Sequence, residues 1–118
     1  MGSLWYAIVV DAQDPARLSR WWAEVLGYKV LDEDANDVIV GQGDKVYPIL
    51  YFTRTTAEKT GKNRLHIDLS PDDREAEVER LVDMGARHVD IGQGDGRSWT
   101  VLADPEGNEF CVLRSTPR

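Results

Sequence analysis

Side chains able to do chemistry near neutral pH are scarce in this chain: two histidines and one cysteine among 118 residues. His66 opens the run His-Ile-Asp-Leu-Ser, so in an extended strand His66, Asp68 and Ser70 alternate onto one face. An imidazole beside a carboxylate is the pairing from which a general base or a hydrogen-bonding anchor for a ligand is built. The plainer reading is a histidine satisfied by its neighbours, because buried polar groups must find partners. Cys111 stands between Phe110 and Val112. To act as a nucleophile it needs a neighbouring base or a helix N-terminus to lower its pKa. In an apolar strand it reads instead as a small, unreactive core residue.

The remaining candidates are aromatic or glycine-rich. Trp5, Tyr6, Tyr51, Phe52 and Trp99 fall in strand-like runs and are candidates to line a site for a flat or apolar ligand, although ordinary core filling accounts for most of them. The segment Gly-Gln-Gly-Asp-Gly-Arg-Ser at 92–98 has no following Lys-Ser/Thr and no helix after it, so it is a very weak match to a phosphate loop. Its first four residues also occur at 41–44, which favours turn chemistry. His88 follows a helix stop and reads as a surface residue.

The elements that must position these side chains come in two matching series. Leu4–Val10 is a nearly continuous apolar run and predicts a strand buried on both faces. Asp14 and Pro15 predict a helix start, Leu18, Trp21, Trp22, Val25 and Leu26 its apolar stripe, and Gly27 its end. Strands are predicted at 28–32, 37–41 and in the run 46–54, the last beginning after Pro48 or lying at an edge. A polar linker at 55–62 follows. The series then restarts with a strand at 64–69 and a helix with Ser70 as N-cap, Pro71 at N1 and Asp73 closing an approximate capping box. Val78, Leu81 and Val82 are its apolar stripe and Gly85 its end, 58 positions after Gly27. Strands at 87–91, 98–103 and 109–113 complete the second half. Each half reads β-α-β-β-β, so the chain is expected to be one α+β domain of two βαβββ modules, the first over about 4–54 and the second over about 63–114.

Asp-Pro-Ala-Arg-Leu-Ser-Arg-Trp-Trp-Ala-Glu-Val-Leu-Gly in the first half, His66–Ala86 in the second and the closing Ala-Asp-Pro-Glu-Gly-Asn-Glu-Phe-Cys-Val-Leu resemble the vicinal oxygen chelate superfamily. That superfamily includes glyoxalases, bleomycin-resistance proteins and extradiol dioxygenases. The resemblance implies tandem modules whose curved sheets surround a cleft. In metal-using members the cleft holds a divalent ion on His, Gln or Glu from the first and last strands of both modules. Carried over position by position, His66 matches, whereas Ala7 (or Tyr6, one residue back) and Tyr51–Phe52 do not, and Cys111 stands where a glutamate is expected. One imidazole and one thiol make a poor site for a hard ion. The expectation is therefore no resident cofactor, with a divalent metal held by His66 as the lesser alternative.

A net charge of −7 offers no basic surface for nucleic acid. No run approaches the roughly 20 apolar residues that cross a bilayer. Without a basic leader before Asp11, a cytoplasmic location is expected. The expected function is binding of a small organic ligand through His66, Asp68, Tyr6, Phe52, Trp99 and Cys111. The alternative is a glyoxalase-like lyase or isomerase acting on a small oxygenated metabolite, with His66 and Tyr6 as candidate catalytic residues. A homodimer is expected by analogy with the superfamily.

Overall fold

A computed structural model describes residues 2–89 and 99–114. The chain divides into two compact units, Met1–Glu58 and Lys59–Arg118, with the boundary inside the polar linker. The element order β-α-β-β-β recurs in both.

In the first unit β1 (Ala7–Ala12), α1 (Pro15–Leu26), β2 (Lys29–Glu33), β3 (Asp37–Gly41) and β4 (Ile49–Arg54) form a sheet of order β1-β4-β3-β2 against one helix. β1 and β4 run parallel, and the other pairs are antiparallel. Asp14 caps α1 by accepting from the Arg17 N–H at 3.1 Å, and Pro15 stands in the first turn where its missing donor costs nothing. Gly27 ends the helix at φ 70°, a left-handed conformation that a side chain would strain. Leu18, Trp21, Trp22 and Val25 are buried together with Val38, Val40, Leu50 and Phe52, the alternate residues of β3 and β4. Trp21 and Trp22 meet edge to face with centroids 5.1 Å apart.

β1 departs from the sequence expectation. It begins only at Ala7 and forms the edge of the sheet, and Val9 is 61% exposed. A single helix covers one face of this sheet, so the strand alternates between covered and open sides instead of being buried on both.

In the second unit β5 (Asp68–Leu69), α2 (Arg74–Asp83), β6 (Arg87–His88), β7 (Trp99–Ala103) and β8 (Glu109–Leu113) form the order β5-β8-β7-β6. β5 and β8 are parallel, so the topology of the first unit is repeated. Two expectations are corrected here. The helix starts at Arg74, with Asp73 rather than Ser70 as its cap: the Asp73 carboxylate accepts from the Ala76 N–H at 3.2 Å. This start puts Glu75 and Glu77 in the first turn, where they complement the helix dipole. The predicted strand 64–69 shrinks to Asp68–Leu69, so His66 lies just ahead of β5. Backbone pairing still reaches that point, because the Cys111 N–H donates to the Ile67 carbonyl at 2.9 Å.

Between β7 and β8 the turn is built on Asp104, which is fully buried. Its carboxylate accepts from the backbone N–H groups of Glu106 and Asn108 and from the Asn108 amide. Gly107 holds φ 90° in the same turn. The pairing that follows brings Val101 opposite Cys111. No helix among the described residues is long and apolar enough to cross a membrane.

Candidate functional site

Strand alternation sorts the second sheet into two faces. Leu69, Leu102, Phe110 and Val112, all buried, form one of them. Asp68, Trp99, Val101, Cys111 and Leu113 form the other, and the parallel register sets Asp68 directly beside Cys111. His66, two residues before Asp68, joins this second face: its Nδ1 lies 3.0 Å from the Asp68 Oδ1. The predicted meeting of His66 and Asp68 therefore holds although the strand is shorter than expected.

Asp68 is the centre of this group. Its carboxylate meets the imidazole on one side and accepts a hydrogen bond from the Cys111 thiol on the other. A neutral imidazole making that contact carries its proton on Nδ1 and keeps the Nε2 lone pair free to accept. Cys111 is 7% exposed. Burial pushes its thiol pKa up, and the charge and hydrogen bond of Asp68 push the same way. The thiol is thus held protonated, the opposite of what a nucleophilic cysteine requires. His66 and Asp68 are 42% and 47% exposed at their side chains, so an incoming molecule reaches the pair from solvent.

Ligand atoms of His66, Asp68 and Cys111 all lie within 4.8 Å of one another, making a potential metal-binding group among the described residues. The same positions in the first unit carry none of this. The register of β1 on β4 matches that of β5 on β8, so Ala7, Val9 and Tyr51 correspond to His66, Asp68 and Cys111. Ala7 and Val9 have no donor atoms, and the Tyr51 hydroxyl is engaged by Asp37. The four-ligand set drawn from both modules does not fit this chain. A three-donor set within the second module does fit a borderline ion, because nitrogen, carboxylate and thiolate are the donors of three-ligand zinc sites. Asp68, which the comparison of first and last strand positions does not cover, adds a third potential donor beside His66 and Cys111.

The other predicted residues are dispersed. Trp99 is half-buried on the face that carries Cys111. Tyr6 belongs to the first unit, ahead of β1, exposed and packed on Tyr47 with ring centroids 5.4 Å apart. Phe52 is corrected from a ligand contact to a core residue: alternation turns it away from Tyr51 and Thr53, among Val38, Val40 and Leu50, with 0% exposure. His88 is exposed on β6, as expected. The glycine-rich segment 92–98 lies outside the described residues.

The model of the glyoxalase-like domain matches residues 7–113. The chain belongs to the glyoxalase-like domain family. Solved structures agree with the fold. A glyoxalase/bleomycin resistance protein/dioxygenase family enzyme from Burkholderia phytofirmans is 17% identical with a TM-score of 0.74, over 97% of this chain and 100% of that one. The trypanothione-dependent glyoxalase I of Leishmania major is 19% identical at a TM-score of 0.68, over 96% and 87%. A bleomycin resistance determinant encoded on transposon Tn5 is 17% identical at 0.56, over 98% and 100%. No curated protein sequence matches. This glyoxalase-like protein therefore shares its fold with enzymes and with a resistance determinant, at identities that carry the fold alone.

Proposed function

We propose that this glyoxalase-like protein binds a small organic ligand on the face of the second module that carries His66, Asp68, Cys111 and Trp99. The observation behind the reading is the 3.0 Å contact between the His66 Nδ1 and the Asp68 carboxylate. It fixes the ring, whose neutral form presents a solvent-reachable acceptor at Nε2, while the half-buried Trp99 and Leu113 on the same face supply apolar surface. The net charge of −7 favours a neutral or cationic molecule. Ligand-observed NMR against a library of small aromatic amines and vicinal-dioxygen compounds, with bleomycin among them, tests this. Hits should weaken at least tenfold in His66→Ala. An absence of hits, or hits that bind His66→Ala equally well, overturns it.

A second reading, a glyoxalase-like lyase or isomerase, rests on the same pair, since a neutral imidazole backed by a carboxylate is the arrangement of a general base. It predicts that a bound carbonyl compound exchanges its α-proton with deuterated solvent on the wild-type protein and not on His66→Ala.

A further inference from the structure

We propose that His66, Asp68 and Cys111 form a mononuclear site for a thiophilic divalent ion, zinc or cobalt, contained within the second module. The donors are one imidazole nitrogen, one carboxylate oxygen and one thiolate sulfur, with the remaining coordination position open to solvent or to an organic ligand. This is not the four-donor set from two modules that the resemblance implies. It uses a carboxylate two residues after the histidine on the same chain segment, and it draws nothing from the first unit.

Three observations carry it. The ligand atoms lie within 4.8 Å of one another. Tetrahedral zinc, with bonds of about 2.0–2.3 Å, needs its ligands roughly 3.3–3.8 Å apart, so only a small closing movement is required. The register of β5 on β8 fixes Asp68 beside Cys111 through backbone pairing, which places two of the three donors before any ion arrives. The donor chemistry is selective: a buried sulfur and an imidazole suit zinc or cobalt, whereas magnesium and calcium require oxygen ligands.

Loading balances simply. The ion takes the sulfur lone pair as the Cys111 S–H bond breaks, and one proton leaves to buffer. The Asp68 carboxylate exchanges its contacts with the thiol and imidazole for the ion.

The inference uses the same residues as the ligand-binding reading, and the two can fail separately. Full-length protein, freed of metal by chelation, is titrated with cobalt and then zinc, with magnesium as the control. The expected results are one ion per chain, a thiolate-to-cobalt charge-transfer band displaced by zinc, and release of about one proton per zinc, read by calorimetry in buffers of different ionisation enthalpy. Cys111→Ser should abolish the band. Asp68→Asn and His66→Ala should each weaken zinc at least tenfold, while His88→Ala should leave affinity unchanged. Circular dichroism confirms that each variant folds. No charge-transfer band in wild-type protein overturns the site. Zinc binding equal in Asp68→Asn and wild type overturns the role given to Asp68. Loss of metal binding together with retained, His66-dependent fragment binding overturns only this inference and leaves the ligand-binding reading standing.

Discussion

The two units repeat one topology and use it differently. In both, the middle of the last strand presents an acidic X–H group, Tyr51 in β4 and Cys111 in β8, and in both a carboxylate on an adjacent segment accepts from it. In the first unit that carboxylate is Asp37 on β3, which Thr53 also engages at 2.7 Å. In the second it is Asp68 on β5, and the residue two places before it is a histidine. Moving the carboxylate from the inner neighbour strand to the outer one brings it next to His66, and that turns a closed polar contact into a group with a free acceptor. The helices show the reverse asymmetry. α1 buries Leu18, Trp21, Trp22 and Val25, whereas α2 buries only Leu81. The first copy carries the tighter core and the second carries the chemistry.

The strongest way to break that comparison is through the cores. Phe52→Ala empties a fully buried position in the first unit and should cost about 3–5 kcal/mol in urea denaturation. Val82→Ala on α2, a position 37% exposed, should cost less than about 1 kcal/mol. Equal losses would mean that Val82 is packed as a core position, against its exposure.

Most of the fold was legible because its signals are local. Asp14-Pro15 and Gly27 bracket α1, and the structure uses Asp14 and Gly27 as its caps with Pro15 as its first residue. The two β-α-β-β-β series followed from the repeated helix stops at Gly27 and Gly85. What the sequence concealed depends on which strands become neighbours. Val9 and Phe52 both sit in apolar runs, and only the single-sided cover of α1 decides that one is exposed and the other buried. At the site, His66 and Asp68 were readable as an i, i+2 pair. Cys111 joined them only through the family resemblance, because the parallel pairing of β5 with β8 is a contact across more than forty residues that no local pattern encodes. The start of α2 was missed because Ser70 and Asp73 are both good capping residues three positions apart, and the backbone satisfied Asp73.

That choice gives a smaller test. Asp73→Ala removes the carboxylate that accepts from the Ala76 N–H and should cost about 1 kcal/mol. Ser70→Ala leaves that bond in place and should cost less. The reverse order would return the cap to Ser70 and lengthen α2 toward the site. Hydrogen exchange at the Ala76 amide reads the same difference residue by residue, with faster exchange expected only in Asp73→Ala.

The smallest expected effect probes the shared motif itself. The Tyr51 pKa is raised by its hydrogen bond to Asp37, with burial and the Asp37 charge adding to it; the Cys111 pKa is raised first by burial and then by Asp68. In both cases the folded chain favours the neutral X–H form. The native state therefore binds more protons than the unfolded state at alkaline pH, so stability falls as pH rises. The contribution of Cys111 is complete below the ordinary thiol value of 9.0 and is lost as pH climbs through the raised folded value. That of Tyr51 is lost above 10.0 in the same way. In metal-free protein, Cys111→Ala should flatten the early part of the alkaline decline and Tyr51→Phe the later part, each measured as the slope of unfolding free energy against pH. A Cys111→Ala slope identical to wild type would mean that neither burial nor Asp68 holds the thiol protonated, and the likeness between the two modules would then end at their topology.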